Sequence, residues 1–279
     1  MDTDTSIIDV DAMANTAFTG VNRVWVFMGL GVNCANYVLS MNFNLPDAGY
    51  LRLMPDELPE ATLREAKAEF GTWIVSNGLR EAIDTFDVFL GQAYSAALTI
   101  EAWDAGRAEQ EVDTGSLRER AKKFSRLGTA NRLARLERDF NITAEYASDV
   151  NSVRRARNCL THRLGVVGHE DVGGDGVLVL QWHTIELFGV NHDGSEFVPS
   201  LDALPIEFPE ASPVNMRHAP REKRFSVGER LILLPGELKH VCYTFRLAIE
   251  QLRTSFVEFA KRMGVEEVAR DHEAGGGNT

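Results

Sequence analysis

The chain has 279 residues, 44% of them hydrophobic and 25% charged. That composition excludes a collagen-like, disulfide-stapled or wholly disordered chain, and the length supplies a full hydrophobic core in one large domain or two small ones. Twenty-nine basic against 41 acidic residues give a net charge of −12, which as an average argues against nucleic-acid binding.

Residues 1–20 are polar and acidic, without the basic-then-apolar order of a secretory signal, and are expected as a loose N-terminal arm. A helix is predicted from Val21 to Met41. Its most apolar stretch, Val24 to Val32, is too short to span a bilayer and reads as core, so no membrane is expected. Pro46, Gly49, Pro55 and Pro59 mark a loop. A long helix from Glu60 to Asp104 follows, with Phe70, Trp73, Ile74, Leu79, Ile83, Phe86, Leu90 and Tyr94 at helical spacing, and with Gly71 and Gly78 as places for a kink. A basic helix is expected from Ser116 to Phe140, where Ser116 and Glu119 have capping-box spacing. The next runs from Thr143 to Leu164 on a stripe of Tyr146, Val150, Val153, Leu160 and Leu164.

After Gly165 the texture turns to β-formers. Strands are predicted at Val177–Leu180 and Trp182–Val190. A turn at His192-Asp193-Gly194 leads to a short return over Glu196–Val198. A proline-bearing loop spans Pro199 to Pro220, and a further strand or strand pair lies within Phe225–Leu234. A last amphipathic helix from Glu237 to Met263 uses Val241, Phe245, Leu252, Phe256 and Phe259. The expected units are an arm over 1–20, a helical bundle over 21–168, a β-rich insertion over 169–234, a C-terminal helix over 235–265 and a disordered tail over 266–279. The fold class is mainly α (α+β), an antiparallel helical bundle with a small antiparallel β-insertion before its last helix. Cys34, Cys159 and Cys242 are far apart with no CxxC pair, which suggests reduced thiols in a cytoplasmic protein with no zinc cage.

One segment breaks a local rule. In Arg154-Arg155-Ala156-Arg157-Asn158-Cys159-Leu160-Thr161-His162-Arg163, Arg157 occupies the position that divides the apolar stripe between Val153 and Leu160. An arginine there is costly unless it is paired or holds an anion. Asn158 and His162, four residues apart, share a face of the helix. The structural alternative is an Arg157 paired with Glu81, Asp84 or Glu101 and a His162 that satisfies the helix dipole. The remaining histidines, at 169, 183, 192, 218, 240 and 272, form no HxH or HExxH pattern and read as surface or strand residues, with no metal site. Trp182, Phe188 and Phe197 suit either a base-stacking platform or the packing of the insertion.

Arg157-Asn158 with His162 resembles the RNxxxH signature of the HEPN superfamily, and the position near the end of a helix late in a bundle is similar too. The resemblance covers about residues 60–168 and extends to the last helix. It implies a HEPN-like bundle and a metal-independent, homodimeric endoribonuclease that needs no cofactor. Such proteins act as toxins or antiviral effectors held in check, or switched on, by a partner protein. RNA carries its own nucleophile, the 2′-hydroxyl. Histidine supplies a proton acceptor or donor near neutral pH, and arginine a permanent fork for the phosphate. On this reading His162 is the general acid/base, Arg157 stabilises the phosphate and Asn158 orients His162 or the phosphate. The alternative within the resemblance is a non-catalytic dimeric module that binds RNA, a nucleotide or a partner protein.

Charge is unevenly spread. Residues 116–163 hold 12 basic and 5 acidic side chains, a local +7 inside an acidic chain. Arg154, Arg155, Lys122, Lys123 and Arg126 are the expected RNA-binding residues, in the helices that lead into and carry the motif.

Overall fold

The structure, a computed structural model, describes residues 7–37, 63–108, 113–199 and 213–266. Within them lie six helices and a three-stranded antiparallel sheet, a mainly helical α+β arrangement. The expected Pro46–Pro59 loop, the end of the first helix at Met41, His272 and most of the tail fall outside the described residues.

Helix α1 (Val10–Tyr37) begins well before Val21, so residues 10–20 belong to the bundle and not to a loose arm. Asp9 starts it, its carboxylate accepting the Ala12 N–H at 2.8 Å. Ala14, Ala17, Val21, Val24 and Met28 make its buried face at alternating steps of three and four. The first of these are alanines among polar residues, a weak signal for a helix. Helix α2 (Leu63–Arg107) runs antiparallel to α1, unbroken by Gly71 or Gly78. Gly78 is where α1 comes close, since a Cβ there would fall 2.3 Å from the Met28 sulfur. Ile74, Leu79, Ile83, Phe86, Leu90 and Tyr94 are buried as expected, whereas Phe70 and Trp73 stack on each other at the exposed surface.

The single basic helix expected over Ser116–Phe140 is two, α3 (Thr114–Ser125) and α4 (Thr129–Phe140), separated at Arg126–Gly128. Asp113, not Ser116, caps α3 by accepting the N–H groups of Gly115 and Ser116. Glu119 pairs instead with Lys123 at 2.8 Å. Helix α5 (Ala147–Arg163) buries Val150, Val153, Ala156, Cys159 and Leu160. The chain then leaves through left-handed Leu164 (φ 53°) and Gly165 (φ 81°), so Leu164 is exposed and not the end of the buried stripe.

Strand β1 (Val177–Val190) is continuous, and β2 (Glu196–Phe197) pairs with its end across the His192-Asp193-Gly194 turn. Strand β3 (Asn215–Ser226) pairs with β1 along its whole length, from Val177 opposite Ser226 to Phe188 opposite Asn215. This corrects the loop expected up to Pro220 and the strand expected at Phe225–Leu234. Five of the twelve residues of β3 are charged and most of the strand is exposed, and Pro220 is tolerated because β3 is an edge strand in the order β2-β1-β3. Trp182 is buried, which removes it as a base-stacking surface, and Phe188 lies under the Arg217 guanidinium.

Helix α6 (Pro235–Arg262) buries all five of its expected apolar residues and packs on α1, α2, α5 and β1. Two buried hydroxyls close the open side of β1. Ser152 of α5 accepts the Gln181 N–H and Thr244 of α6 accepts the His183 N–H, each at 2.8 Å. No helix among the described residues is long and apolar enough to cross a membrane.

Candidate functional site

Arg154, Arg157, Asn158, Thr161 and His162 recur at steps of three and four along α5, so they share the face turned away from its buried stripe. Arg154, Arg157 and Asn158 are half-buried; Thr161 and His162 are exposed in the last turn. Arg157 donates from Nη1 to Asn158 Oδ1 at 3.1 Å. Asn158 thus holds Arg157, and not His162, in place. The Nε atoms of both Arg154 and Arg157 are buried without a hydrogen-bond partner. The three carboxylates suggested as partners for Arg157 are elsewhere. Glu81 pairs with Arg23 and Glu101 with Arg120, each at 2.9 Å, while Asp84 is exposed. Among the described residues no carboxylate lies within ion-pair distance of Arg154, Arg157 or Arg155.

The other predicted phosphate ligands are exposed: Arg155 on α5, Lys122 and Lys123 on α3, and Arg126 in the α3–α4 link. Lys123 is engaged with Glu119. Arg154 reaches the link, since its Nη1 would lie 3.8 Å from a Cβ at Gly128. It also comes within electrostatic range of Asp87 on α2. Asp87 had no signal in the sequence. Burial raises its carboxyl pKa above the usual range, against the pull of Arg132, Thr129 and Arg154.

Arg163, next to His162, is structural. It donates from Nε to Asp171 Oδ2 at 2.6 Å, bonds Asp171 Oδ1 through Nη2, and reaches Glu170 Oε1 at 3.0 Å. Burial alone would raise the Asp171 pKa, but Arg163 and the Gly168 N–H outweigh it and hold the carboxyl below the usual range. Cys159 lies in the same corner, its thiol pushed up to about 11, chiefly by burial.

A second polar cluster gathers histidines that the sequence offered only as surface or strand residues. His169 and His192 are indeed exposed in turns. His183 Nδ1, however, lies 3.0 Å from buried Asp149 Oδ2, at ion-pair distance though outside hydrogen-bond geometry. Tyr146 packs edge-on to His183 and its hydroxyl lies 3.3 Å from His218, whose other ring nitrogen is 3.0 Å from the Tyr243 hydroxyl. His240 meets Thr184, and burial lowers its pKa. These contacts tie α5, α6 and the sheet together. No group of three or more His, Cys, Asp or Glu among the described residues is placed to hold a metal ion. Comparisons with protein-family models, with curated proteins and with solved structures find no match for this chain.

Proposed function

We propose that the chain is a metal-independent endoribonuclease of HEPN type that works as a homodimer. The observation that carries this reading is the single α5 face on which two arginines, without carboxylate partners among the described residues, stand beside an exposed histidine. Arg157, steadied by Asn158, directs its fork at the phosphate where negative charge grows. The 2′-hydroxyl oxygen attacks phosphorus, its proton passes to His162, and the 5′-oxygen leaves with a proton from the symmetry-related histidine. The products are a 2′,3′-cyclic phosphate and a 5′-hydroxyl. Exposed Leu164 and Val166, just beyond His162, supply apolar surface for a second subunit. The biological setting the resemblance implies is a toxin or antiviral effector under the control of a partner protein.

The test is cleavage of a mixed RNA in EDTA. Wild type is expected to cut, His162→Ala to lose roughly 10²–10⁴-fold and Arg157→Ala at least about 10²-fold, with 2′,3′-cyclic ends on the products. One observation favours a second reading, a non-catalytic dimeric module that binds RNA, a nucleotide or a partner protein: His162 is exposed in the last turn of α5, and among the described residues no hydrogen bond orients its ring. Absence of cleavage by a dimeric wild type that still binds RNA would decide for that module.

A further inference from the structure

Between α2, α3 and α4 lies an open groove of about 430 Å³, lined by Asp87, Gly91, Gln92, Ala121, Ser125 and Arg132. That size is within the range of small-molecule sites. Two features of the groove are unexplained by folding. Gly91 sits inside α2, where glycine is less favourable than alanine, yet no atom outside its own stretch of helix lies within 4 Å of where its Cβ would be. Packing therefore does not require a glycine, and its missing side chain keeps the groove open. Asp87 is the second. Its Oδ1 is buried without a hydrogen bond. Arg132 is the obvious counterion, but its guanidinium donates at 2.8 Å to the backbone carbonyls of Leu127, Asp87 and Ser125, which leaves Nη1 3.8 Å from the carboxylate. The Asp87 side chain is nonetheless 24% exposed to the groove, and a carboxylate there that Arg132 and the Thr129 hydroxyl satisfy only in part, with a raised pKa, marks a place where a donor can bind. Arg154, on the motif face of α5, is within electrostatic range of that carboxylate.

We propose that this groove is a nucleobase subsite for the RNA held by Arg154 and Arg157, and that Asp87 and Gln92 select bases with an exocyclic amino group over uracil. The inference rests on the RNA-cleaving reading above. An amino N–H of adenine, cytosine or guanine donates to a carboxylate, whereas the one ring N–H of uracil lies between two carbonyl oxygens, which the carboxylate repels. Ala121 and the neighbouring Val88 give the ring an apolar wall, and Gln92 can both donate and accept at the base edge.

Hexamers of 2′-O-methyl A, C and U lack the nucleophile, so their binding can be measured by fluorescence anisotropy apart from cleavage. The A and C hexamers should bind on the order of tenfold more tightly than the U hexamer, as expected for one charge-assisted hydrogen bond. Gly91→Leu, which fills the groove and favours the helix, should bring all three to the U level without lowering the melting temperature. Asp87→Asn, whose amide also donates to a carbonyl, should narrow the difference. Equal affinity for the three hexamers in wild type, or a folded Gly91→Leu protein that still prefers A and C, overturns the subsite. If binding in those cases is still weakened by Arg154→Ala, the RNA reading survives. No binding of any hexamer removes both.

Discussion

Arg163 and Arg157 lie on one helix and differ in what surrounds them. Arg163 is clamped onto Asp171, whose side chain is 2% exposed, while Arg157 bonds Asn158 and, among the described residues, no carboxylate. Truncating Arg163 leaves a carboxylate buried without its counterion, so Arg163→Ala should cost about 3 kcal/mol at neutral pH by urea unfolding. The pH dependence follows from the lowered Asp171 pKa. In wild type this group contributes stability that is complete above the ordinary carboxylate range and is lost as pH falls through its depressed value. In Arg163→Ala burial acts unopposed by the guanidinium, the pKa rises, and the penalty is relieved as Asp171 takes up its proton. The gap between wild type and variant should therefore be widest near pH 7 and narrow towards pH 4. A gap that stays constant with pH would mean that Arg163 acts through packing alone.

At the scale of elements, the glycines of α1 and α2 separate packing from propensity. A Cβ at Gly31 would lie 2.6 Å from Ile74 Cδ1, with two more atoms of that side chain within 3.2 Å, whereas nothing lies within 4 Å at Gly71. Ile74 is β-branched and has few rotamers into which to retreat. Gly71→Ala should stabilise the protein by about 0.5–1 kcal/mol, while Gly31→Ala should destabilise it by about 1–3 kcal/mol. Melting curves of the two variants give the comparison, and equal effects would show that α1 and α2 are not in close contact there. The sheet depends on its helices in a similar way. Ser152 and Thr244 satisfy β1 amides that no neighbouring strand reaches, which explains two fully buried hydroxyls in helices otherwise packed with apolar side chains.

For the molecule as a whole, the local +7 of residues 116–163 is smaller at the surface than in the sequence. Arg120, Lys123, Arg135, Arg138 and Arg163 are ion-paired with carboxylates, and Arg132 is taken up by three backbone carbonyls. Arg118, Lys122, Arg126, Arg154, Arg155 and Arg157 have no carboxylate within ion-pair distance among the described residues, and these are the cations free to meet phosphates. If RNA binds here, Arg155→Ala should weaken binding similarly for every sequence and lower the slope of log affinity against log salt by about one. Arg135→Ala, which removes a cation already bonded to Asp139 at 2.5 Å, should leave the slope nearly unchanged. Titrations at several salt concentrations check both, and equal slopes for the two variants would place RNA elsewhere on the surface.

The mainly helical class, the buried stripes of α2 and α6, the β-rich texture before the last helix and the placing of Arg157, Asn158 and His162 on one helix are legible in the amino-acid sequence. Each of these is a property of one segment and is read from its own periodicity. The rest came from the three-dimensional structure. It showed that α1 begins at Val10, because alanines bury well only when another helix comes close, and that the charged residues of β3 form a strand, because β1 lies beside them. It gave Arg163 a carboxylate partner and, among the described residues, gave none to Arg154 and Arg157. It also set Asp87 and Gly91 in a groove shared with α3 and α4. Ion pairs, edge caps and grooves depend on which distant segments meet, and side-chain periodicity along a single helix or strand carries no record of its neighbour.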